Sequence, residues 1–265
     1  MNKDIFNETA KYYDENACLE DRRLSDLSSE FRLTNHMLNR YLVNNKCVLD
    51  VGGGTGVYAF PLVERGNKVI LADISKKEIE IVNKKAKKKN IKIQTMIYNA
   101  IYYNNEFEDK FDVVLCLGPL YHCSSIEEID NILKNILRYT KKGGRVFLSF
   151  LSKYSKFNDL LREKEKLPCY NIIQLQENFE KTFNDKSTFI FERRNKLPIS
   201  FVTPDKLEEY LSKKGLKVDL ISCIDYLSNI PTTYTEEIID FYIDLGKSIR
   251  LNSGSHILVV LEKTK

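Results

Sequence analysis

The chain has no apolar run near the roughly 18 residues that span a bilayer, and its opening, MNKDIFNETAKYYDE, is too polar and acidic for a signal peptide. Those absences predict a cytoplasmic protein. None of the six cysteines, at 18, 47, 116, 123, 169 and 223, stands in a C-x-x-C pair. That spacing argues against structural zinc, and no metal is expected. Cys47, Cys116 and Cys223 fall in apolar runs and read as small buried hydrophobes in a reducing compartment. With only 11 Gly and 6 Pro, collagen-like and low-complexity classes are excluded. Charge is nearly balanced, 41 basic against 37 acidic side chains for a net +4, so no general basic field points to nucleic acid. No internal repeat is visible. What remains is an ordinary globular composition, 43% hydrophobic and 29% charged, in 265 residues that can bury a real core.

The order of patterns defines the class. Lys46 to Val51 is a short apolar run ending in an acid, followed by a glycine cluster and an apolar helical stretch to Arg65 and Gly66. Lys68 to Asp73 repeats the strand signal, and Ser75 with Glu78 forms a capping box ahead of Ile79, Val82 and Ala86 on one helical face. Ile91 to Tyr98 and Phe111 to Leu117 are further strands. Ser125 and Glu128 cap a helix carrying Ile129, Ile132, Leu133, Ile136 and Leu137, closed by Gly143 and Gly144 before strand Arg145 to Phe150. Thr203 and Pro204 open another helix, with Gly215 past its end. Leu216 to Cys223 and His256 to Leu261 bring the strands to seven. Near-continuous apolar strands alternating with helices predict an α/β fold, a mostly parallel sheet covered on both faces. Phe189 to Phe191 and Ile199 to Val202 are expected to pair as a short antiparallel ribbon.

Asp50, Gly52, Gly53, Gly54, Thr55 and Gly56 lie between the first strand and its helix, where such sheets bring ligands to the carboxyl ends of strands. Glycine there lets a ligand approach the backbone and permits positive φ. Asp73 ends the next strand, placed to accept hydrogen bonds from a ribose diol. The turn has no lysine, so it is not a Walker loop, and an acid at Asp50 would face a dinucleotide's pyrophosphate with the wrong sign. S-adenosylmethionine, with its ammonium and sulfonium and no phosphate, suits this turn better. Pro61 predicts a late helix start, with Tyr58 near the N-cap and beside the cofactor, because a proline deeper in the helix would leave a carbonyl without its partner.

Asp50, Gly52, Gly54 and Gly56 spell D-x-G-x-G-x-G, and the chain resembles the class I S-adenosylmethionine-dependent methyltransferases at this motif. Asp73 is similar to that family's ribose-binding acid, with Ile74 beside the adenine. Asn99 and Ala100 fall where the family has an Asp-Ala pair on the adenine amine, and Thr140 to Gly144 resembles its turn before the fifth strand. The Asn is a departure, although an amide still accepts that hydrogen bond. Cys116-Leu117-Gly118-Pro119-Leu120-Tyr121-His122 and Tyr12-Tyr13-Asp14 are similar to a bacterial subgroup acting on small molecules. The resemblance is strong over 46–150 and weak over the last sixty residues.

It implies a Rossmann-like single domain: 1–45 as an N-terminal lid, 46–150 as the cofactor-binding core, 151–202 as an insertion or substrate lid, and 203–265 as the C-terminal part of the sheet. It implies methyl transfer by in-line displacement to a small-molecule acceptor. Cofactor contacts are expected from Asp50, Gly52, Gly54, Thr55, Gly56, Tyr58, Asp73, Ile74, Asn99, Ala100 and Leu117. His122, after the fourth strand, is the candidate general base, with substrate orientation as its other reading. Tyr12, Tyr13, Arg23 and Tyr121 are candidates to close over the ligands, and Arg193 to meet an anionic substrate. His36 reads as a helix-face residue. The alternatives are an RNA or protein methyltransferase, resting on Lys84, Lys85, Lys87, Lys88 and Lys89, and a cofactor-binding protein without chemistry. Those lysines read as a solvated face directed away from the catalytic edge.

Overall fold

The computed structural model describes residues 3–23, 29–42, 44–153, 185–194, 197–224, 235–248 and 254–264, with isolated positions between 155 and 184. Most of the predicted 151–202 lid, and Cys169, lie outside the described residues. Two helices lead, α1 (Lys3–Arg23) and α2 (Ser29–Tyr41), followed by β1 (Cys47–Val51), α3 (Ala59–Glu64), β2 (Lys68–Asp73), α4 (Lys76–Lys89) and β3 (Gln94–Ile97). Next come β4 (Phe111–Cys116), α5 (Ile126–Tyr139), β5 (Thr140–Ser152), β6 (Phe189–Arg194) and β7 (Leu197–Val202). The described chain closes with α6 (Pro204–Lys213), β8 (Lys217–Cys223), α7 (Glu236–Ser248) and β9 (His256–Glu262).

The α/β expectation holds, with nine strands in the sheet among the described residues rather than seven. Strands β3, β2, β1, β4 and β5 run parallel in that order. β9 adds antiparallel to β5, and β8 antiparallel to β9. The two extra strands are the predicted ribbon. β6 pairs antiparallel with β7, and β7 joins the sheet through Leu151↔Phe201 and Ser152↔Val202. Because Leu151 also pairs with His256 of β9, the ribbon must lie on the other edge of β5, above the end of β4. β5 also begins earlier than expected: α5 stops at Tyr139, and Thr140 already pairs with Phe111.

Alternation along the strands builds two cores. Leu49, Val51, Val114, Cys116, Val146 and Leu148 face α5 and α6, meeting Ile129, Ile132, Leu133, Ile136, Leu207 and Leu211. Val48, Val69, Leu71, Val113, Leu115 and Phe147 face the other way, onto Leu33, Met37 and Leu38 of α2, Leu62 of α3 and Val82 of α4. Capping follows the sequence closely. Ser125 accepts from the Glu128 amide at 3.4 Å, and Thr203 from the Lys206 amide at 3.4 Å with Pro204 in the first turn. α3 starts at Ala59 with Tyr58 at the N-cap and Pro61 as its third residue, the late start that proline demands.

His36 is more than a helix-face residue. It is buried, with Nε2 2.9 Å from Asp240 Oδ1 and Nδ1 against Glu236, so it ties α2 to α7.

Candidate active site

Parallel packing delivers Asp50, Asp73 and the segment after β4 to one edge of the sheet, where a cavity opens. The glycine turn forms its floor, with φ of +69° at Gly52 and +55° at Gly54. A Cβ on Gly52 would sit 2.5 Å from Pro119 Cγ, and one on Gly53 2.7 Å from Asp50 Oδ2. Glycine is therefore required there first by the protein's own packing, not only by ligand approach. Gly56 lies outside the lining, and its φ of +85° and the Phe60 ring, 2.9 Å from where a Cβ would stand, require glycine in the turn.

Asp50, Gly52, Gly54, Thr55, Tyr58, Asp73, Ile74, Asn99, Ala100, Leu117, Tyr13, Tyr121 and His122 all line the cavity. Tyr58 also belongs to the core, stacked on Phe31 with ring centroids 5.8 Å apart. Tyr12 is not in the lining but packs edge-on against Tyr13. Arg193 points elsewhere, in an ion pair with Glu8 of α1. The Arg23 side chain lies outside the described residues.

The acids set the electrostatics. Glu20, Glu30, Asp50, Asp73 and Glu78 line the cavity, and among the described lining residues there is no lysine or arginine. Asp50 is 1% exposed, and its Oδ2 has no hydrogen-bond partner among the described residues. Burial, then the charge of Asp73, lifts its carboxyl to about 7. Asp73 is engaged on both oxygens, accepting from the Gly54 amide and the Ser75 amide at 2.8 Å each. Burial also raises its carboxyl above the ordinary range. Asn99 turns its Oδ1 to the Ile101 amide at 3.1 Å.

Helix α1 closes the cavity from above. Thr9, Tyr13 and Glu20 project into it from one helical face, with Ala17 buried between them. That stripe was readable in the sequence at positions 9, 13, 17 and 20, but a polar helix with one alanine does not announce a binding face. Two acids latch α1 to the core. Asp14 accepts from Ser75 Oγ at 2.6 Å and from the Lys77 amide at 2.9 Å; Asp21 accepts from Thr55 Oγ1 at 2.6 Å and pairs with Lys85. Lys85 also reaches the Thr55 carbonyl at 3.3 Å, so it is a latch residue and not part of a solvated face.

Opposite α1, the turn Pro119–His122 carries the aromatic wall. His122 Nδ1 lies 3.1 Å from the Pro198 carbonyl, which only accepts, so Nδ1 carries the proton. Nε2 is then the acceptor, and Tyr13 Oη donates to it at 2.6 Å. The β6–β7 ribbon supplies that carbonyl, which is why its position above β4 matters to the site.

Comparison with known proteins places this geometry. Residues 48–144 match the family described as a methyltransferase domain. Over that segment the chain is similar to the class I S-adenosylmethionine-dependent methyltransferases. A ubiquinone biosynthesis O-methyltransferase of Pelagibacter ubique is 32% identical over 114 residues, 43% of this chain and 45% of that protein. A cypemycin N-terminal methyltransferase of a Streptomyces species is 30% identical over 107 residues, 40% of this chain and 42% of that protein. The chain thus spans about half the length of the curated relatives it matches. The structure of Burkholderia thailandensis 1,6-didemethyltoxoflavin-N1-methyltransferase, with S-adenosylhomocysteine bound, superposes with a TM-score of 0.63 at 14% identity, covering 97% of this chain and 88% of that one. That likeness is one of fold.

The cavity fits S-adenosylmethionine on its own chemistry. A buried carboxylate oxygen at Asp50, unpartnered among the described residues, is suited to an ammonium, and an acid-lined cavity with no lysine or arginine among its described lining suits a ligand carrying a sulfonium.

Proposed function

We propose that the protein transfers the methyl group of S-adenosylmethionine to a small planar acceptor bearing a hydroxyl or ring N–H, and that Tyr13 and His122 remove the acceptor's proton. The observation that carries this is the Tyr13–His122–Pro198 chain of hydrogen bonds. The cofactor supplies an electrophilic methyl on a good leaving group. The protein's work is to align the attacking atom with it in a dry site, and such positioning is worth an effective molarity of about 10⁵–10⁸ M.

Asp50 holds the amino-acid end by charge, and the glycine turn fixes that end relative to the aromatic wall. Tyr13, Tyr121 and His122 pack on one another as an aromatic wall, with the Tyr121 and His122 rings 4.8 Å apart, against which a flat molecule can lie. The acceptor's X–H donates to Tyr13 Oη as the Tyr13 proton passes to His122 Nε2. The Pro198 carbonyl stabilises the imidazolium that results. Relatives named for O-methylation, N-terminal methylation and N1-methylation differ in the acceptor, so oxygen and nitrogen are both retained as acceptor atoms.

The test supplies methyl-labelled S-adenosylmethionine to a metabolite extract and to its protein and RNA fractions. Label should enter the small-molecule fraction; label only in polymer would refute the acceptor class. With the acceptor in hand, Tyr13→Phe and His122→Gln should each lower kcat by roughly 10²–10⁴-fold and flatten the rise of rate with pH, with cofactor affinity unchanged. Wild-type turnover in both variants would remove the relay.

A further inference from the structure

We infer that Glu78 is a second ribose-binding residue, acting with Asp73 as a carboxyl pair that meets the two vicinal hydroxyls of the cofactor. The inference rests on the cofactor assignment above. In a full capping box the glutamate side chain would return to the Ser75 amide. Only half of that box forms. The Glu78 amide donates to Ser75 Oγ at 3.1 Å, but the Ser75 amide donates to Asp73 Oδ1 at 2.8 Å. The Glu78 carboxyl is thereby released from the helix end, and it turns to the cavity.

There it is 3% exposed, hydrogen-bonded to Asp73 and beside Gly54, whose Cβ would stand 3.6 Å from Glu78 Oε1. The charged groups facing it are all acidic: Asp73 on β2, and Asp14 and Glu20 on α1. Burial and then the Asp73 charge raise Glu78 to about 9, so at neutral pH the pair shares one proton. That proton lets two carboxyl groups lie side by side. Asp73 accepts one amide on each oxygen and the proton shared with Glu78 on one of them, so it keeps a lone pair on the other, and Glu78 retains an acceptor oxygen of its own. The pair therefore offers one acceptor to each hydroxyl of a diol.

Calorimetry with S-adenosylhomocysteine and its 2′-deoxy and 3′-deoxy analogues tests this on the full chain. Wild type should prefer the diol over at least one deoxy analogue by about 10-fold or more, because a site built for a hydroxyl leaves its acceptor unpaired without it. Glu78→Met should bind the diol about 10-fold more weakly and lose that preference. Glu78→Gln, which keeps an acceptor oxygen, should recover most of both. Full discrimination in Glu78→Met, with its fold verified by thermal unfolding, would overturn the inference and leave Asp73 as the sole partner. No binding of S-adenosylhomocysteine by wild type would instead overturn the cofactor assignment, and this inference with it.

Discussion

Replacing Asp50 by Asn should stabilise the free protein at neutral pH and weaken its response to cofactor. Asp50 ends β1 fully buried, and its carboxyl is raised from 3.8 to about 7 by burial and by Asp73. The unfolded chain ionises this group near its ordinary value of about 3.9. The folded state thus binds the proton more tightly. The stability this contributes is whole below the unfolded pKa and is lost as pH rises through the folded one. At about 1.4 kcal/mol for each tenfold change in proton affinity, the loss by pH 8 is about 4 kcal/mol.

Asn is neutral throughout and escapes that loss. At roughly 2–4 °C per kcal/mol for a chain of this size, the variant should unfold about 8 °C or more above wild type at pH 8. Most of the gap should close by about pH 5, where wild-type Asp50 is largely protonated in the fold. S-adenosylhomocysteine, whose ammonium would hold Asp50 ionised, should raise the wild-type transition more than the variant's. The expected loss of affinity is about 10- to 150-fold, the cost of one charge-assisted hydrogen bond. Thermal unfolding at both pH values, with and without ligand, measures all of this. A variant no more stable than wild type at pH 8, or one equally advantaged at both pH values, would refute the assignment of a buried carboxyl awaiting a cation.

Lys85→Met should weaken cofactor binding about 5-fold and speed amide exchange in α1, since the Asp21–Lys85 latch is only a third exposed on either side. Lys88→Met, on an exposed position, is the control and should change neither; equal effects from both would dismiss the latch. Gly52→Ala should cost about 2 kcal/mol or more, because φ is +69° and the added Cβ meets the Pro119 ring at 2.5 Å. Gly143→Ala, at φ +76° but in open space, should cost about 1 kcal/mol by denaturant unfolding. Reversal of that order would show that the turn tolerates displacement of the aromatic wall.

The strands, their helices and the late start of α3 were legible in the sequence because each depends on near neighbours: apolar periodicity, a capping hydroxyl, a proline that forbids an early helix. The glycine turn and its two acids were legible for the same reason, being a local motif at a strand end. The partners of those groups were not. Tyr13 meets His122 across 109 residues, His122 meets Pro198 across 76, and Lys85 meets Asp21 across 64. Local propensity carries no information about such pairs. The capping box was half undone by a local competitor, since the carboxylate of Asp73, two residues before Ser75, takes the Ser75 amide. Sequence alone determined the sheet, its ligand edge and the polarity of the turn. Only the tertiary structure decided which side chains face one another across the cavity, because the lid helix and the ribbon are placed by packing on the sheet, not by any signal within themselves.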